Sequence, residues 1–129
     1  MAANESSAVA SIRTINTGMI TYNSAYPTVG YATTLTALGG VAPCAPSSTT
    51  SCLLDSALSA GTRSGYTFHA TGAGGPPTGM FYATGVPVAL NQTGIRSFCS
   101  FEDAVVRVQP TGAAIGAESS CQVLLLLNQ

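Results

Sequence analysis

The side chains of this 129-residue chain that could do chemistry are few: four cysteines, one histidine, five carboxylates and four arginines, with no lysine. Cys44, Cys52, Cys99 and Cys121 form an even set with no C-x-x-C pair, and His69 is the only histidine. Zinc sites draw on tighter spacing or more ligands, so two disulfides, and with them an oxidising compartment, are expected in place of a metal. Spacing alone leaves all three pairings of four cysteines open. His69 is the one side chain that titrates near neutral pH without perturbation. It lies in an extended run on the face opposite Tyr66 and Phe68, which predicts a solvent-facing sheet residue, and no Gly-x-Ser-x-Gly elbow accompanies it. Glu102-Asp103, the only adjacent carboxylates, offer fewer oxygens than a calcium site collects and read as a solvated turn. The run Gly72-Ala73-Gly74-Gly75-Pro76-Pro77 lacks the lysine and the strand-turn-helix setting of a phosphate loop and reads as a hairpin connection. No catalytic, cofactor-binding or metal-binding residue is expected, and no cofactor.

Only 7% of the chain is charged, against roughly 25% in an ordinary soluble domain. Ser and Thr, 30 residues together, supply the polar surface instead. A net charge of -1 leaves no basic footprint for phosphate contacts, which argues against a nucleic-acid partner. No run of 18 apolar residues occurs, and Met1 to Glu5 has neither the basic nor the apolar region of a signal peptide. The chain as it stands reads as soluble, and because disulfides call for export, an export segment removed ahead of Met1 is expected.

These residues have to be positioned by a single domain, 1–129, in three parts. In the first, 1–26, apolar residues fall at Ala8, Ile12, Ile15, Met19, Tyr22 and Tyr26. That spacing predicts a helix with one apolar stripe, widened by Val9 and Ile20 and ended by Pro27. Ser, Thr and Asn on its other faces give little intrinsic propensity, so packing must hold it. The second part, 27–65, is rich in Gly, Pro, Ser and Thr, and Leu53, Leu54, Ala57 and Leu58 predict two helical turns stopped by Gly61. The third, 66–129, predicts strands at Tyr66 to Thr71, Met80 to Thr84, Ile95 to Cys99 and Val105 to Val108, spaced as an antiparallel meander. The apolar run Val123 to Leu127 reads as a buried last strand or a contact surface. The expected class is α+β: a long N-terminal amphipathic helix on a four-stranded antiparallel sheet, with two disulfides. The stripe is longer than a small sheet covers, so the turns around Ala2, Ala3, Val9 and Ile12 are expected to project and to need a partner.

The segment from Met1 through Thr17, followed by Thr21-Tyr22 and Tyr26-Pro27, resembles the second half of the N-terminal helix of bacterial type IV pilins and pseudopilins, and is most like the major-pilin-like proteins of acidobacteria. Cys52-Leu53-Leu54-Asp55, Ser64 to Phe68 and Gly94 to Cys99 are similar to the same group. The resemblance implies a pilin-like roll, here a headgroup without the apolar half-helix that anchors such subunits and forms the filament core. Glu5 does not match the glutamate that follows the family's processed N-terminus. The resemblance, with locality, also implies the pairings Cys44–Cys52 and Cys99–Cys121.

Two functions follow as expectations. In one, the chain is a structural subunit of an extracellular, or periplasmic, pilus-like filament with no enzymatic activity. Its partners are copies of itself, or a separate apolar N-terminal pilin helix, and it meets a membrane only through the missing segment. Its assembly helix would work through Ala8, Val9, Ile12, Ile15 and Met19. In the other it is a secreted minor pilin-like adhesin or binding module, presenting the Pro76-Pro77 hairpin or the Cys99 to Cys121 segment to a ligand.

Overall fold

In a computed structural model, which describes residues 2–40, 45–47, 50–54, 56–74, 78–102, 105–115, 118–122 and 124–126, helix α1 spans Ala2–Ala25. It ends where the chain must leave the α region ahead of Pro27. Ala8, Ile12, Ile15, Met19 and Tyr22 bury one side of it against a single antiparallel sheet. That sheet runs in sequence order: β1 (Thr62–Arg63), β2 (Tyr66–Ala73), β3 (Met80–Pro87), β4 (Ser97–Phe101), β5 (Arg107–Gln109) and β6 (Leu125–Leu126).

Six strands stand where four were expected. The extra two are short edges. Thr62–Arg63 folds back on Tyr66–Thr67 because Ser64 and Gly65 both adopt positive φ, the conformation a two-residue primed turn requires. Leu125–Leu126 pairs with Arg107–Val108, so this part of the C-terminal apolar run is a strand; Val123 and Leu127 lie outside the described residues. Of the two expected disulfides, one falls wholly within the described residues. The described residues hold one disulfide, Cys99–Cys121, spanning 22 residues. Cys44 lies outside them, and with it the expected Cys44–Cys52 pair.

Strand pleating puts every second residue on the helix side. One cross-strand row runs Phe68, Gly85, Phe98, Val108 and the next Ala70, Ala83, Ser100. Burial of each large side chain in this layer stabilises the fold by about 1.5–3 kcal/mol. Gly85 has a packing reason to be glycine, since a Cβ there would stand 2.8 Å from the Phe68 ring. One polar pair crosses the layer: the buried Ser100 hydroxyl donates to Asn16 Oδ1 at 2.9 Å. On the opposite face, helix α3 (Glu118–Gln122) brings Cys121 over Cys99 beside Ile115, with Phe101 and Leu124 packed against them. The C-terminal segment thereby builds a second, smaller apolar cluster that pattern reading did not anticipate.

The segment between α1 and β1 is tied down at intervals. Gly30 bridges Thr78, Thr34 bridges Thr71, and a 3-10 turn covers Thr36–Leu38. Helix α2 is Ser56–Ala60 and stops at Gly61, whose φ of 103° suits a glycine cap. Leu53 and Leu54 are not part of it, because both their amides donate to the Leu38 carbonyl, at 2.8 and 2.9 Å.

Candidate functional site

The five residues expected to form an assembly seam, Ala8, Val9, Ile12, Ile15 and Met19, are all buried in the chain's own core. The expectation that the turns around Val9 and Ile12 project is corrected: Ile12 is 0% exposed and touches the space over Gly85. The sheet does not cover the helix alone: Leu38 and Leu54 of the segment between α1 and β1 pack beside Gly18 in the same core. What α1 offers outward is the reverse side, where Ala3, Ser6, Ala10, Arg13, Thr14, Thr17, Ile20 and Thr21 are exposed. Thr14 and Thr17 donate their hydroxyls to the carbonyls of Ala10 and Arg13, at 3.0 and 3.1 Å. With those protons used internally, covering the face would strand neither of these two hydroxyls. A groove of about 290 Å³ runs along it, between Arg13, Thr14, Thr17, Gly18, Thr21 and Leu53.

The first turn of α1 is held by a charge-assisted latch. Glu5 Oε2 accepts from the backbone amides of Ile95 and Arg96, both at 3.0 Å. Its Oε1 accepts from Arg96 Nε at 3.3 Å and Nη2 at 3.1 Å. Burial by itself would raise the Glu5 pKa. The two amides and the guanidinium outweigh it and hold the carboxyl below its ordinary value. Around this latch Asn4 Nδ2 donates to the Thr93 carbonyl, and the Tyr66 hydroxyl donates to the Arg96 carbonyl at 2.7 Å. Tyr66 is fully buried; burial first, and then the nearby Glu5 charge, push its pKa up to about 12. Gly94 lies so close to the Tyr66 ring that no side chain fits there. Sequence reading missed the latch because its halves are about ninety residues apart. The one available signal was an acid in the first turn of a helix, a position the helix dipole favours.

His69 is exposed on β2 opposite Thr84, on the sheet face away from α1. It borders a hollow of about 340 Å³ at the β2 edge, whose hydroxyl groups come from Thr34, Thr36, Ser59, Thr62 and Thr67. Glu102 stands in a turn, as expected, but is not fully solvated: it is partly buried and its Oε2 accepts from the Phe81 amide at 3.1 Å. Asp103 and the Pro76-Pro77 tip lie outside the described residues. Among the described residues no group of three metal-ligating side chains converges, and no helix is long and apolar enough to cross a membrane. Compared with family models, curated proteins and solved structures, the chain matches none.

Proposed function

We propose that the chain is a structural filament subunit of type IV pilin-like character, a headgroup that packs into an extracellular helical assembly of its own copies. The observation that carries this reading is the outward face of α1. It runs the 24-residue length of the helix and exposes mainly small and hydroxyl-bearing side chains together with Ile20, with Arg13 the only charged residue among those exposed. Such a face lets a neighbouring helix approach closely and requires little charge to be desolvated. The resemblance of the helix sequence to pilins and the helix-on-sheet architecture support the same reading. Because Val9 and Ile12 are buried in the subunit itself, assembly on this reading uses the outward face of α1 rather than the apolar stripe.

The test is to place a charge on that face in a chain carrying, or supplied with, an apolar N-terminal pilin helix. Ala10→Asp and Thr17→Asp should fold normally by circular dichroism and fail to enter filaments seen by electron microscopy. Normal filaments from both would remove the reading. A second reading, a secreted binding module, is favoured by the 340 Å³ hollow beside His69, which stands at the lower end of the roughly 300–1,000 Å³ of ligand pockets. Saturable binding of the isolated domain to a surface, lost on filling the hollow with Thr62→Trp, would support it.

A further inference from the structure

The outer edge of β2 is tied at two places and open between them. The Phe68 amide donates to the Gly61 carbonyl at 2.6 Å, and the Gly72 amide to that of Thr33 at 3.3 Å. In an antiparallel ladder every second residue turns its backbone groups to the same neighbour, so the Ala70 amide, between those two, faces the outer edge as well. The reciprocal bond at Phe68 is diverted. Gly61 donates its own amide to the Leu58 carbonyl, closing α2, and this leaves the Phe68 carbonyl turned to the edge. The 340 Å³ hollow lies at this opening, and Gly61, Phe68 and Ala70 are among the residues that line it.

The side chains around the opening carry mostly hydroxyls. Thr67 and His69 stand on the sheet face away from α1, with Thr62 across from Thr67. Thr34 and Thr36 come from the segment before β1, and Ser59 from α2. Two of these hydroxyls are held in place. The Thr34 oxygen accepts from the Ala37 amide at 3.3 Å, which keeps its hydrogen for a further acceptor. Ser59 rests against Gly39, where any Cβ would overlap its side chain. Leu35 and Ala70, both buried, give the hollow a small apolar floor. Among the described residues no carboxylate or guanidinium lines it. Arg63, next to Thr62, is turned to the opposite face by strand alternation.

We propose that this hollow is a binding site for one neutral sugar ring of a glycan. This deepens the binding-module reading and rests on it. A pyranose ring carries hydroxyls that both donate and accept around an apolar C–H face, which matches a hydroxyl rim over an apolar floor. One ring hydroxyl accepts from the Ala70 amide while its neighbour donates to the Phe68 carbonyl, so two outward backbone groups gain partners and no charge is desolvated. An anionic ligand would find no cation here to offset its own desolvation. The hollow shares no residue with the groove on the outward face of α1. One ring per chain binds weakly, and display of the site in many copies multiplies its effect.

The experiment titrates the whole isotope-labelled chain with lactose, maltose, cellobiose and mannobiose, following backbone amide shifts by NMR. At least one of these sugars should move the amides of Thr62, His69 and Ala70 saturably at millimolar concentration. Thr36→Val and Thr62→Val each remove one hydroxyl and keep the shape, at exposed positions, so the rest of the spectrum should stay native. Each should weaken that sugar by roughly two- to tenfold, the loss of one neutral hydrogen bond. Shifts that stay linear or scatter over the surface, or saturable shifts that neither variant weakens, would overturn the proposal. If no sugar moves Ala70 but N-acetylalanine methylamide, a neutral peptide unit, does so saturably, the sugar site is overturned and the binding-module reading stands. A sugar bound in the hollow of a chain that adheres to no glycan-coated surface would uphold the site and remove that reading.

Discussion

Replacing Glu5 with alanine removes four acceptor interactions at once. The Glu5 side chain is only 12% exposed, whereas that of Arg96 is 42% exposed. The guanidinium therefore recovers water readily, and its ion pair is worth no more than about 1 kcal/mol. The larger loss is at the backbone. The amides of Ile95 and Arg96 each give up a bond to a charged acceptor, worth roughly 1.5–3 kcal/mol when intact. Ile95 is 45% exposed, so water replaces part of its share. A net cost of about 2–3 kcal/mol follows for Glu5→Ala, or a fall in melting temperature of roughly 10 °C for a domain of this size. The pH dependence has a definite sign. A carboxyl whose folded pKa is depressed contributes stability that is complete above the unfolded value, near 4.5, and is lost as pH falls through the folded value. Thermal melts by circular dichroism, at pH 7 and at steps down to pH 2.5, should show the wild type losing stability below about pH 4.5. The variant should be weaker at pH 7 and converge on the wild type in acid. A variant within 2 °C of wild type at pH 7, or an unchanged gap between the two at every pH, would refute the latch as a stabilising device.

At alkaline pH Tyr66 carries the opposite sign. Its raised folded pKa, about 12, means stability present below the ordinary tyrosine value and lost as pH climbs through the folded one. Ultraviolet titration should show a late phenol step near the folded Tyr66 value, and Tyr66→Phe should remove that step at a cost of about 1 kcal/mol. Gly30→Ala should destabilise by 3 kcal/mol or more, read as a lowered urea midpoint, because φ is +88° and the new Cβ would overlap the Thr78 backbone. Cys99 and Cys121 are fully buried, so mild reductant should leave their disulfide intact in the folded protein. The Cys99→Ser, Cys121→Ser double variant should lose about 3 kcal/mol in chemical denaturation by the loop-entropy model.

The amino-acid pattern by itself determined the local elements with one dominant periodicity. Ala8, Ile12, Ile15, Met19 and Tyr22 recur at helical spacing and Pro27 closes the run, so α1 was legible to within a residue or two. The cores of β2, β3 and β4 were legible for the same reason, since alternating aromatic and small residues bounded by Gly and Pro admit few other structures. Tertiary structure decided what periodicity leaves open. An apolar stripe loses water equally well against its own sheet or against a neighbour, so the pattern identified the buried side of α1 but not its cover. Only the packed sheet shows that Val9 and Ile12 are used up inside the subunit and that the small hydroxyl face looks outward. Leu53 and Leu54 read as helix, yet the Leu38 carbonyl captured both their amides. The Glu5 latch, the short edge strand at Thr62–Arg63 and the cluster around Cys99, Ile115 and Cys121 depend on partners brought together by the chain path. Hydrogen bonds and contacts between residues dozens of positions apart leave no period in the sequence, and the structure alone assembles them.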